Sequence, residues 1–238
     1  MPPIDFDRFD VLTFDCYGTL IDWEAGILAG LRRVLDQRAV VADDEDLLER
    51  YARHEATIEA GPYLRYREVL ARAVRGVCAE LGVDPTDEEA ATFGGSVGAW
   101  PAFPDSPDAL ARLHERFRLA VITNCDDDLF AASNRRLGVT FDSVVTAEQV
   151  RSYKPSHRSF EVAFERIGVP RGRILHVAQS LFHDHVPAKE LGMTTAWVDR
   201  RHDRPGSGAT PWASAAPDLV VPDMATLADL ATSEVPRA

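Results

Sequence analysis

Cysteine is scarce in this chain, and so is positive charge. Only Cys16, Cys78 and Cys125 occur in 238 residues, at spacings that fit neither a disulfide framework nor a metal cluster. A reducing, cytoplasmic setting is therefore expected. Lysine and arginine total 26 against 38 aspartates and glutamates, for a formal net charge of −12. That balance argues against a surface for nucleic acid or anionic membrane, since such a surface needs a basic face; it leaves room for a local basic pocket. No apolar run is long enough to span a bilayer, and the opening Met1-Pro2-Pro3-Ile4-Asp5-Phe6-Asp7 lacks the basic and apolar regions of a signal peptide. No internal repeat is present. The absences together predict a soluble intracellular protein.

What the chain has is apolar substance, 45% of its residues, enough for one large domain or a core with an insertion. Val11-Leu12-Thr13-Phe14-Asp15-Cys16-Tyr17-Gly18-Thr19-Leu20 reads as a buried parallel strand that delivers Asp15 at its end. An aspartate after a strand can equally be a turn cap. Helical spacing follows over Trp23 to Leu35, from the acidic Asp43-Asp44-Glu45-Asp46 to Ile58, over Tyr63 to Leu81, and over about Thr86 to Val97. Beyond the Trp100-Pro101-Ala102-Phe103-Pro104 connector the rhythm changes to alternating strands and helices. Strands are predicted at 119–122, 143–145, 174–177, 194–198 and 219–221, and helices at 107–115, 127–137, 156–167 and 184–191. This is the pattern of an α/β, doubly wound parallel sheet. Residues 1–20 and 99–238 would form a Rossmann-like core and 21–98 a helical insertion after the first strand. Arg201 to Ala216, rich in Gly, Pro, Ser and Ala, reads as a surface loop rather than a domain linker.

Ligands of open α/β sheets bind at the carboxyl ends of strands, so polar groups there are candidates. The first strand end offers Asp15 and Thr19, the second Thr123-Asn124, the third Ser152-Tyr153-Lys154-Pro155, and the fourth Gln179-Ser180-Leu181-Phe182-His183-Asp184-His185. Each taken alone has an ordinary reading as turn chemistry or a solvated charge. A carboxylate, a hydroxyl-amide pair, a lysine and a second carboxylate on four successive strands are a specific constellation.

On these residues the chain resembles the haloacid dehalogenase superfamily. Asp15-x-x-Gly18-Thr19 matches its first motif, Thr123-Asn124 its second, Lys154-Pro155 its third and the loop ending in Asp184 its fourth. The insertion sits where that superfamily carries a cap domain. Phosphatases of the superfamily have a second aspartate two residues after the nucleophile and a Gly-Asp pair for Mg²⁺; here Tyr17 and Ala178-Gln179 stand in those places. The chain resembles instead the metal-independent 2-haloacid dehalogenase branch.

That resemblance implies attack by Asp15 on the halogen-bearing carbon, an aspartyl ester, and hydrolysis to a 2-hydroxy acid and halide, with no cofactor. Thr19, Lys154 and Asp184 would complete the catalytic set, Lys154 keeping Asp15 ionised and Asp184 positioning Lys154 and water. A small carboxylic acid would meet Tyr17, Thr123, Asn124, Gln179, Ser180, His183 and a cap arginine, Arg50 or Arg53, with Arg53 taken as the candidate. Phe160 stands where the dehalogenases carry a tyrosine six residues after the lysine. His183 and His185 are not read as metal ligands, and Tyr66 and Trp100 are read first as packing. A homodimer through the cap follows from resemblance only. The alternatives are a Mg²⁺-dependent phosphatase with an atypical site, a hydrolase of a non-halogenated small carboxylic acid, and a binding protein without turnover.

Overall fold

The computed structural model describes residues 4–204 and 206–233. Met1, Pro2 and Pro3, which begin the stretch read for signal features, and Pro205 of the Gly/Pro-rich loop lie outside the described residues.

Val11–Phe14 forms strand β1, buried at every position, and sits near the middle of a six-stranded sheet. Arg118–Thr123 (β2), Ser143–Thr146 (β3), Ile174–Ala178 (β4), Thr194–Val198 (β5) and Leu219–Val221 (β6) complete it, in the order β3-β2-β1-β4-β5-β6. All neighbours pair in parallel, with Phe14 opposite Val121 on one side and Val177 on the other. The order runs one way from β1 through β2 and the other way from β4, so the crevice beyond β1 is the switch point of the sheet. Asp15 is the next residue. The predicted strands and the doubly wound parallel architecture are present.

Four helices follow β1 before the connector at 100–104: Trp23–Leu35 (α1), Asp44–Glu59 (α2), Tyr66–Glu80 (α3) and Asp87–Gly94 (α4). Asp22 caps α1 by accepting from the Ala25 N–H, and Asp43 caps α2 by accepting from Glu45 and Asp46, as short polar residues do at helix starts. Helix α3 begins three residues later than the apolar spacing suggests. Its first N–H groups, from Tyr66 and Arg67, donate to the Asp126 carboxylate at 2.8 and 3.3 Å, so a residue from beyond β2 fixes where this helix starts.

The remaining helices, Ser106–His114 (α5), Asp127–Leu137 (α6), Ala147–Val150 (α7), Arg158–Ile167 (α8), Val186–Glu190 (α9) and Met224–Thr232 (α10), flank the sheet. The helix expected over 184–191 is shorter and is preceded by a five-residue π turn, Leu181–His185. The loop after β5 departs from the surface reading: Arg201 and Ala209 are buried against Glu24 of α1 and Thr210 is buried against Gln179, while Trp212 is exposed.

Candidate functional site

Asp15 and Asp184 reach one lysine from two neighbouring strand ends. Lys154 Nζ donates to Asp15 Oδ1 at 2.9 Å, to Asp184 Oδ1 at 2.6 Å and to the Ile122 carbonyl at 3.0 Å. Its three N–H bonds are thereby all used. Thr19 Oγ1 donates to Asp15 Oδ2 at 2.7 Å and accepts from the Gln179 N–H at 2.9 Å. Gly18 makes the return to Thr19 possible: at φ +92°, a Cβ there would sit 3.0 Å from Trp23 Nε1, in a conformation that L residues rarely adopt. Behind the carboxylates, His176 on β4 bridges Asp184 Oδ1 and Thr13 Oγ1.

Burial sets the charge balance. It raises the Asp15 carboxyl above its ordinary range, helped by the Asp184 charge and opposed by Lys154 and Thr19. Burial also pushes Asp184 up, but Lys154 and His176 outweigh it and hold Asp184 below the usual carboxylate range. The ammonium itself is stabilised against its own desolvation by the two carboxylates. Asp184 is thus the firmer counter-ion, and its buried Oδ2 has no hydrogen-bond partner among the described residues.

A small cavity of about 30 Å³ lies over Asp15, bounded also by Tyr17, Asn124, Lys154, Ser180, His183 and Asp184. The inserted helices close it with Trp23, Glu55, Glu59 and Tyr66. A wider cavity of about 360 Å³ adjoins it, sharing Glu59, Lys154 and His183. A still larger one, about 510 Å³ between α1 and α4, includes none of these groups.

Of the residues predicted for the site, Asp15, Tyr17, Asn124, Lys154, Ser180, His183 and Asp184 meet at this cavity. Thr19 touches Asp15 directly. Burial depresses His183 to about 4, which leaves the ring neutral at neutral pH. Three predicted residues, and the alternative cap arginine Arg50, lie elsewhere. Arg53 is 59% exposed and pairs with Glu80 at 3.4 Å, because the turn of α2 that faces inward carries Tyr51, Ala52 and Glu55 instead. Arg50 likewise points out, to Asp46 and Glu80. Gln179 turns its side chain away, accepting from Thr210 at 3.2 Å and lining a separate crevice with Gly18 and Arg200. Thr123 is buried at the end of β2 with its hydroxyl unpartnered among the described residues, and it does not bound the cavity.

Sequence reasoning missed Glu55, Glu59, Trp23 and His176. The signal for Glu55 was available: it falls four residues after Tyr51 on the stripe formed by Leu47, Leu48 and Tyr51, all buried. A carboxylate on a buried helical stripe is rarely idle. Glu55 Oε1 accepts from the Tyr51 and Tyr66 hydroxyls at 2.7 and 2.9 Å. Glu59 Oε2 accepts from Asn124 Nδ2 at 3.3 Å and lies 4.0 Å from His183 Nε2. Burial raises both, Glu55 to about 7 and Glu59 well above the ordinary glutamate value. Phe160 and His176 pack edge to face, and His185 Nε2 donates to the Ala178 carbonyl at 2.9 Å, a packing role.

The donor set suits a divalent cation poorly. An ammonium occupies the space between the two carboxylates, Tyr17 and Gln179 supply no third carboxylate, and no three His, Cys, Asp or Glu side chains among the described residues are grouped to hold a metal.

Comparison with known proteins gives a consistent result. A family model described as haloacid dehalogenase-like hydrolase matches residues 9–181. An (S)-2-haloacid dehalogenase of Pseudomonas sp. (strain YL) is 28% identical over 141 residues, 58% of this chain and 60% of that enzyme. One of Pseudomonas putida is 25% identical over 228 residues, 92% of this chain and 94% of that enzyme. A 5-amino-6-(5-phospho-D-ribitylamino)uracil phosphatase of Escherichia coli is 28% identical over 207 residues, 80% of this chain and 84% of that enzyme. Among solved structures, an L-2-haloacid dehalogenase from Xanthobacter autotrophicus superposes with a TM-score of 0.79 at 22% identity, covering 95% of this chain and all of that one.

Proposed function

The chain belongs to the haloacid dehalogenase-like hydrolase family, and from that premise we propose that it hydrolyses a carbon–halogen bond through a covalent ester on Asp15. The observation that carries this reading is the Lys154 ammonium held between Asp15 and Asp184. It compensates a carboxylate nucleophile with a fixed charge, where phosphoryl chemistry would call for a cation with open coordination sites. Residues 21–98 act as the cap: the side chains that close the cavity over Asp15 come from there.

In the first step an Asp15 oxygen attacks the carbon, the C–O bond forms, and halide departs with the bonding pair. Halide needs no proton, so Tyr17 is adequate where an oxygen leaving group would need an acid. In the second step water adds to the ester carbonyl of Asp15. The tetrahedral intermediate collapses to the carboxylate, releasing the alcohol and one proton. Lys154 stabilises the Asp15 carboxylate before and after, and Asp184, with Oδ2 open, orients the water.

The (S)-2-haloacid dehalogenase relatives make 2-haloacids the natural first panel. Halide release is measured with 2-chloro- and 2-bromopropionate and with other short organohalides, all in EDTA, with Asp15→Asn as control. A single turnover in H₂¹⁸O places label in Asp15, because water attacks the enzyme's own carbonyl. Release that survives EDTA, disappears in Asp15→Asn and labels Asp15 is the expected result. Hydrolysis of an aryl phosphate restored by Mg²⁺, with no halide released from any substrate, would overturn it in favour of a phosphatase.

A further inference from the structure

We propose that the pocket over Asp15 selects its substrate by a protonated amine rather than a carboxylate, with Glu55 and Glu59 holding the ammonium. This rests on Asp15 attacking carbon, as proposed above, and adds the group at the other end of the substrate.

The ammonium and amide side-chain donors that a carboxylate would need are already committed, and Trp23 and His183 offer neutral ring N–H groups in their place. Lys154 spends its three N–H bonds on Asp15, Asp184 and the Ile122 carbonyl. The Asn124 amide donates to Glu59 and to the Lys154 carbonyl, at 3.3 and 3.0 Å. Arg50 and Arg53 are paired on the outer face of α2, and among the described residues Lys154 is the one Lys or Arg bounding the cavity.

Acceptors, by contrast, are abundant. Glu55 and Glu59 stand one turn apart on α2, so both project from the same face, and both bound the cavity opposite Asp15. Asp184 bounds it too, fully buried, with Oδ2 unpartnered among the described residues. The rings of Tyr17, Trp23 and Tyr66 complete the wall, and aromatic faces attract a desolvated cation.

Charge arithmetic points the same way. With Asp15 ionised for attack, Asp15, Asp184 and Lys154 sum to −1. A carboxylate substrate would deepen that to −2 in a buried space, and only if both glutamates stayed protonated. An ammonium neutralises it, and drawing one of Glu55 and Glu59, which burial holds toward the protonated form, into ionising would return the total only to −1. The space between the glutamates and Asp15 is narrow, about 30 Å³, and adjoins the wider cavity of about 360 Å³, so the head group is a primary amine.

The test separates the head group from the chemistry. Binding of propylammonium and of propionate to the intact enzyme is measured by calorimetry, then repeated with Glu55→Gln and Glu59→Gln. Propylammonium should bind about tenfold more tightly than propionate, and each substitution should weaken it by about tenfold without weakening propionate, the scale of one charge-assisted hydrogen bond. Propionate binding equally well or better, no detectable propylammonium binding, or indifference to both substitutions would overturn the proposal. Should a Gln variant fail to fold, the two probes on the wild-type protein decide alone. Halide release from 3-chloropropylammonium against 3-chloropropionate and 2-chloropropionate is the second arm, with the ammonium compound expected to be hydrolysed fastest. Preference for the haloacids leaves the Asp15 ester standing and sinks the head group. Ammonium binding with no halide from any substrate does the reverse.

Discussion

Lys154 decides whether the two carboxylates at the strand ends can coexist. It is 1% exposed and bonded to both. Lys154→Met keeps the length of the side chain and removes the charge, leaving Asp15 and Asp184 buried without their cation. Breaking a buried pair from one side costs roughly 3–5 kcal/mol, and the Asp15 carboxyl would rise further once Lys154 no longer opposes its burial. Chemical denaturation should show a loss of that order, and halide release at neutral pH should fall by at least about hundredfold, with the acid limb of its pH profile moved upward. Wild-type stability together with wild-type rate would mean that the ion pair does not organise the site.

Glu55 gives the molecule a pH dependence of the opposite sense to that of a salt-bridged carboxylate. Burial raises it from 4.5 to about 7, against hydrogen bonds from Tyr51 and Tyr66, and Glu59 lies one turn beyond it on the same helix. The unfolded chain loses this proton near pH 4.3. Between that value and about 7 the folded state therefore holds a proton that the unfolded state has released, and stability falls as pH rises through this window. Glu55→Gln is neutral throughout. The fall in Tm between pH 5 and pH 8 should be smaller in this variant than in the wild type; an equal fall would assign the dependence to other groups.

At the level of elements, legibility followed locality. The strands were readable because a parallel strand buried on both faces must be apolar along its length, as Leu12, Leu119, Val121, Leu175 and Val177 are. Asp15, Lys154 and Asp184 were readable because strand ends in such a sheet converge on one edge. What failed to show depended on contacts between distant segments. The start of α3 is set by Asp126, sixty residues on from Tyr66, and no local spacing could place it. The choice between the faces of α2 was settled by packing of Tyr51 and Glu55 against Tyr66, which turned Arg50 and Arg53 to solvent and Glu55 and Glu59 to the pocket. The π turn Leu181–His185 arose where Ser180 accepts from the His183 N–H, so Gln179 and Ser180 took different directions although adjacent in sequence.

Over the whole molecule, two adjacent arginines after β5 tie the sheet to its surroundings, one to the segments that flank the insertion and one to the inserted helices. Arg200 donates to the Thr19 carbonyl at 2.9 Å and to Asp105 on the return connector. Arg201 reaches the inserted helices, donating to Glu24 on α1 at 2.6 Å and to Glu45 on α2 at 2.5 Å. Glu24 also accepts from the Ala209 N–H, which folds the Gly/Pro-rich loop onto α1 and explains why part of it is buried. Because α2 carries Glu55 and Glu59, this tether sets the distance between the closing helices and Asp15. Arg201→Ala leaves Glu24 buried with the Ala209 N–H and with Arg204 at 3.6 Å but without its closest cation, at a cost of about 2 kcal/mol, below that of a wholly unpaired buried charge. The pocket should also loosen: the KM for the best substrate is expected to rise more than kcat falls, since the residues around Asp15 are untouched. Combining Arg201→Ala with Glu24→Gln removes the stranded charge and should recover part of the stability without restoring KM. A double variant no more stable than Arg201→Ala, or a KM unchanged in both, would show that the insertion is positioned by its apolar contacts alone.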